Sequence, residues 1–153
     1  MKTLTTSLET PHFPVMLSEV INISRPSKGG IFLDCTFGGG GYSKALLKFP
    51  KTKVIGVDRD KAVLSIANVL EKKFKNRFRF YQLKFSQIDK IIKYDIDTII
   101  FDLGLSSIQL DNLQRGFSFK SKDKLDMTMG LSSFSAQEAI NSLSESELKL
   151  IIK

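Results

Sequence analysis

Cysteine, histidine and tryptophan are nearly missing from this chain: one, one and none among 153 residues. A single thiol, Cys35, excludes an internal disulfide and fits a reducing compartment, so the expected location is the cytoplasm. At a strand-to-loop junction Cys35 reads as a buried, inert thiol. His12 reads as a neutral, hydrogen-bonded surface histidine rather than a general base. Together they supply too few donors for a zinc site. Asp123 and Asp126 have no further acid at metal-ligand spacing, and no metal is expected. No apolar run approaches the roughly 20 residues of a membrane span. The first ten residues lack the basic-then-apolar order of a secretory signal. Acidic residues are in deficit, with 23 Lys and Arg against 16 Asp and Glu, which leaves a net charge of +7. That excess suits a polyanionic partner such as RNA, although a Lys-rich surface is also common without one.

What the chain concentrates is glycine, at one place. The run Phe32-Leu33-Asp34-Cys35-Thr36-Phe37-Gly38-Gly39-Gly40-Gly41-Tyr42 carries an apolar segment into an acid and then four glycines, after which a helical pattern begins. Glycine reaches φ > 0 and lets main-chain N–H groups approach a ligand, here beside the opening of a helix. A second apolar run, Val54 to Val57, ends in Asp58. An acid at that strand end is placed to bind the two hydroxyls of a ribose. The pair points to an α/β domain that binds an adenosine cofactor. Two blander readings compete: a glycine-rich turn with no ligand, and Asp58 as a helix cap, for which Asp60 is better placed. A dinucleotide fingerprint fails, because G-x-G-x-x-G begun at Gly38 meets Ser43 and begun at Gly39 meets Lys44. The common methyltransferase loop has Gly at +2, +4 and +6 after an acid. After Asp34 those positions hold Thr36, Gly38 and Gly40, two of three.

Hydrophobic periodicity predicts helices over 14–23, 42–49 and from the Asp60 cap through 74, with a short one over 86–92. It predicts strands over 31–34, 53–58, 77–83 and 97–103. Four alternations of strand and helix imply a doubly wound parallel sheet. Residues 104–124 lack a clear period and read as an ordered loop. Capping-box patterns at Ser135 to Glu138 and Ser144 to Glu147 open two more helices. Asp102 ends the fourth strand, at the carboxyl edge where open α/β sheets bind ligands; a loop-opening Asp that bonds nearby N–H groups accounts for it equally well.

Four segments together resemble one family, the bacterial 16S rRNA cytosine-N(4) methyltransferases. They are His12-Phe13-Pro14-Val15-Met16-Leu17-Ser18-Glu19-Val20, the glycine loop from Asp34 to Ser43, Asp102-Leu103-Gly104-Leu105-Ser106-Ser107-Ile108-Gln109-Leu110-Asp111, and Arg115-Gly116-Phe117-Ser118-Phe119 with Leu125-Asp126-Met127-Thr128-Met129. Val57-Asp58-Arg59-Asp60 also fits, and the third and fourth segments are more specific than the glycine loop. The resemblance implies a Rossmann-like class I methyltransferase, a parallel sheet with flanking helices. Residues 1–120 would form part of the cofactor-binding core, and 121–153 the start of an inserted helical domain. It implies S-adenosyl-L-methionine as cofactor, contacted by Gly40, Gly41, Tyr42, Asp58, Phe85, Asp102 and Gln109. It implies as partner the 16S rRNA of the small ribosomal subunit, methylated on the exocyclic amine of a decoding-centre cytosine. That amine needs alignment and a hydrogen-bond acceptor, for which Asp102 or a carbonyl within 103–107 is the candidate. Phe117 or Phe119 would stack on the flipped base, or belong to the core. The sequence departs from the family pattern at Tyr42, often His, at Ile108, usually Pro, and in length, which is about half. A sheet of four strands would leave its fourth exposed at an edge. The rival readings are a non-catalytic RNA- or protein-binding remnant and a nucleotide-dependent dehydrogenase.

Overall fold

In the computed structural model the described residues are 14–93 and 95–152, so His12 lies outside them. Four strands, β1 (Gly30–Asp34), β2 (Thr52–Asp58), β3 (Phe78–Gln82) and β4 (Thr98–Ile100), pair in parallel in the order β3-β2-β1-β4. The chain steps outward from β1 to β3 and then returns to the far side of β1. Its topological switch point therefore lies between β1 and β4, and the carboxyl ends of the strands open there.

Alternation along each strand divides the core into two layers. Phe32, Val54, Phe78 and Ile100 face the layer made by α1 (Leu17–Ser24), α2 (Gly41–Leu46) and α3 (Leu64–Lys73), where Leu46, Leu47, Val63, Ala67 and Leu70 are buried. Leu33 and Val57 face the other side, under Leu83, Ile88, Ile91, Ile92 and Ile96. Central β1 is buried on both faces, with Phe32 and Leu33 each fully enclosed. Each such side chain contributes about 1.5–3 kcal/mol from leaving water. Gly56 is required by this packing, because a Cβ there would stand 2.9 Å from Phe37 Cδ2 and 3.1 Å from Phe78 Cζ.

Three expectations are corrected. The short helix predicted over 86–92 is a 3₁₀ segment, Phe85–Lys90. The strand predicted over 97–103 is only Thr98–Ile100, since β1 ends at Asp34 and the Asp102 N–H leaves the ladder to donate to Thr36 Oγ1 at 2.8 Å. The stretch read as a loop, 104–124, contains α4 (Ser107–Asp111) and a 3₁₀ turn, Leu113–Arg115. A five-residue helix shows no period, but Ser106 and Gln109 form a capping box around it. The two predicted capping boxes open α5 (Ala136–Ser142) and α6 (Glu145–Ile152), Ser135 pairing with Glu138 and Ser144 with Glu147. Among the described residues no helix is long and apolar enough to cross a membrane.

Candidate functional site

The loop from Thr36 to Gly41 crosses the tips of β1 and β2 and is tied at several points. Phe37 N–H donates to Val57 O at 3.0 Å, and Gly38 N–H donates to Asp58 Oδ2 at 2.8 Å. Lys44 Nζ closes on Gly39 O at 2.9 Å. Gly38 and Gly40 take φ of +48° and +73°, which suits residues without a Cβ. Gly41 serves packing instead, because a Cβ there would overlap Pro14 Cγ at 2.2 Å. Gly40 turns its N–H inward to Phe37 O at 2.7 Å.

Beneath the loop Asp34 is fully buried, with Ser43 Oγ donating to its Oδ2 at 2.7 Å. Its Oδ1 has no hydrogen-bond partner among the described residues. Burial pushes its carboxyl up to about 6, against the pull of the Ser43 hydroxyl and the Thr36 N–H. Burial first, and the neighbouring Asp34 second, push the Cys35 thiol up to about 11, so it stays protonated and inert, as expected.

A cavity of about 330 Å³ opens over the loop, lined by Gly38, Gly39, Gly41, Tyr42, Asp58, Phe85, Asp102 and Gln109 among others. Six of the seven sequence-predicted residues thus meet in one cavity; Gly40 is not among those lining it. Asp58 stands beside the glycine bend, as the ribose reading requires. Its Oδ1 accepts the Asp60 N–H at 2.9 Å and its Oδ2 the Gly38 N–H, which leaves lone pairs on both oxygens for a ligand. Burial raises its pKa, and those two N–H bonds work against the rise. Phe85 packs edge-on against Phe101 with centroids 5.6 Å apart, giving the cavity an aromatic wall. Tyr42 is buried; its hydroxyl donates to Val15 O and stands 3.5 Å from Asp102 Oδ2. Burial, then the Asp102 charge, raises the Tyr42 pKa. Phe117 is buried against Arg115, with the guanidinium 5.1 Å from its ring centre, whereas Phe119 is fully exposed. Of the two stacking candidates, Phe117 is therefore core.

Sequence reasoning read Asp60 as a helix cap and missed the rest of its role. It does accept the Ala62 N–H at 3.0 Å, but its Oδ2 also takes Gln109 Nε2 at 2.9 Å and Arg115 Nη1 at 2.6 Å. Those bonds and the Arg115 charge hold its carboxyl below the usual range, although burial pushes the other way. The Ser-x-x-Gln spacing of Ser106 and Gln109 was the available signal for α4, and its Oε1 duly accepts the Ser106 N–H at 2.9 Å.

A parallel sheet with a glycine loop after β1, an acid at the tip of β2 and a cavity at the switch point defines a Rossmann-like nucleotide-binding domain. A solved structure from Clostridium thermocellum that carries an rRNA-methylase name shares this fold, with a TM-score of 0.50 at 18% identity over 62% of this chain and 54% of that one. The chain belongs to the MraW methylase family, whose model matches residues 9–153, a family of S-adenosyl-L-methionine-dependent methyltransferases. It is 42% identical over 142 residues to the ribosomal RNA small subunit methyltransferase H of Maricaulis maris, covering 90% of this chain and 42% of that protein. To the protein of the same name from Rickettsia akari it is 44% identical over 142 residues, covering 92% of this chain and 46% of the relative. The chain thus spans less than half the length of these relatives.

Proposed function

We propose that this chain is the cofactor-binding portion of an S-adenosyl-L-methionine-dependent methyltransferase that modifies the exocyclic N4 amine of a cytosine in small-subunit ribosomal RNA. The observation that carries the reading is the joint grip of Asp58 and the glycine loop on the floor of one cavity. The donor set suits the cofactor: a carboxylate with free lone pairs for ribose hydroxyls, the Gly39 and Gly41 N–H groups for the methionyl end and Phe85 for the adenine face. When bound, the cofactor supplies an electrophilic methyl group on a sulfonium. The chain's residues orient the partners. Asp102, which lines the cavity, or a carbonyl within 103–107, is the candidate to accept a hydrogen bond from the target amine and localise its lone pair. Residues 121–153 are proposed to begin a helical, RNA-facing insertion, and the net charge of +7 on the whole chain, carried by the residues before 121, favours that polyanion.

Calorimetric titration with S-adenosylmethionine, S-adenosylhomocysteine and NAD tests the cofactor assignment. Binding of both adenosylated sulfur compounds and not of NAD is expected; NAD alone, or none, rejects it. Asp58→Ala should weaken S-adenosylhomocysteine binding by about 1–3 kcal/mol. Methyl transfer to purified small subunits tests the activity separately, and RNA binding without transfer would favour the non-catalytic alternative.

A further inference from the structure

Arg115 does not line the cavity, yet its guanidinium ends on the residue that fixes the cavity's acid. We propose that Arg115, with Gln109 and through Asp60, is a positioning residue for adenosyl-ligand binding. It sets the Asp58 carboxylate and seats the wall formed by 104–130 without touching the ligand. The inference rests on the reading that this cavity takes an adenosyl ligand.

The chain of contacts is short. Asp58 Oδ1 holds the Asp60 N–H at 2.9 Å, so the two acids share one tight turn. The Asp60 side chain, 2% exposed, then receives Arg115, 15% exposed, in an ion pair of 2.6 Å. Charges so withdrawn from water are weakly screened by salt, and removing one leaves the other buried without compensation. Arg115 is held from its far side as well. Its Nη2 donates to Thr128 O at 2.7 Å, and its carbonyl accepts the Met127 N–H at 2.9 Å. Gly130, at φ +67°, lies against the same turn, where a Cβ would stand 2.9 Å from Lys61 N and 3.2 Å from Arg59 O. Met129, between these two anchors, lines the cavity, as do Ser106 and Gln109. Both ends of the Gln109 amide are engaged within the protein, Nε2 on Asp60 and Oε1 on the Ser106 N–H. The clasp thus joins the acid on one side of the cavity to the wall on the other. A pair that only stabilised the fold would lower melting temperature with no selective effect on the ligand.

The test titrates S-adenosylhomocysteine into the wild-type chain, Arg115→Met, Arg115→Lys, Asp58→Ala and the Asp58→Ala/Arg115→Met double variant. Hydrogen exchange over 58–62 and 125–131, with and without ligand, accompanies it. Arg115→Met is expected to raise Kd about tenfold while keeping one cooperative melting transition, with Lys restoring part of the loss. In the Asp58→Ala background the same change should cost clearly less, because its effect passes through Asp58. Ligand should slow exchange over 125–131 in the wild type and not in Arg115→Met. If Arg115→Met fails to fold, Arg115→Lys, which keeps the charge and loses the planar two-donor fork, should still raise Kd severalfold. An unchanged Kd in a folded variant, or equal costs in both backgrounds, overturns the clasp alone. Failure of the wild type to bind overturns the ligand assignment and the clasp with it.

Discussion

Asp58 and Asp34 stand at neighbouring strand tips and differ in what surrounds them. A ribose hydroxyl donates more strongly to a carboxylate than to a protonated acid, and burial raises the Asp58 pKa. Affinity for S-adenosylhomocysteine should therefore decline on acidification before an ordinary carboxylate would titrate, and a pH series of calorimetric titrations reads this directly. An affinity that stays flat as pH falls to the ordinary aspartate value of about 3.9 would exclude Asp58 from the contact. Asp34 acts on stability with the opposite sign from a salt-bridged acid. Its native pKa, about 6 against 3.8, means that the folded state holds a proton the unfolded chain has lost between those values. Stability from this group is full below about pH 4 and is lost by roughly 3 kcal/mol as pH rises through 6. Asp34→Asn should therefore gain melting temperature relative to the wild type between about pH 4.5 and 7.5 in thermal scans. A relative gain by the wild type would mean that the ionised form supports the loop. Asp58 was legible in the sequence because a strand end and an acid are adjacent there. The partners of Asp60 were not, since Gln109 and Arg115 lie 49 and 55 residues away and only folding brings them together.

Among the elements, length decided what could be read. The ten-residue α3 carries an apolar stripe and follows the 3₁₀ turn Lys61–Val63 that Asp60 caps, so its pattern is visible. α4 has five residues, too few for a period, and only its capping box betrays it. β4 keeps three residues of its apolar run in the ladder because its partner β1 ends at Asp34. The 127–131 turn had no signal beyond Gly130. Gly130→Ala should destabilise the chain by about 1–3 kcal/mol, since it combines a left-handed backbone with a close approach to Lys61 N. Chemical denaturation would measure this, and a loss near zero would mean that the turn rearranges freely.

For the whole molecule, the glycine loop, the alternation of strands and helices and the family resemblance yielded the sheet and its order of layers. They did not reveal how unevenly its two faces are covered. Ile99 in β4 and Phe101 just after it remain 46% and 48% exposed, on the side where 85–96 covers only the centre of the sheet. An apolar strip at a sheet edge favours pairing between molecules. Sedimentation velocity should show concentration-dependent association that Ile99→Lys reduces; a monomer at every concentration would refute this.

The ties on the glycine loop have a further consequence. Gly38 is clipped to Asp58, Gly39 to Lys44 and Thr36 to the backbone of Asp102, each by a bond internal to the chain. The loop is a finished mould and not a drape that tightens over its guest, so little chain entropy is surrendered there on binding. The heat-capacity change of complex formation should then match the surface that guest and cavity remove from water, with no surplus of the kind that accompanies coupled folding.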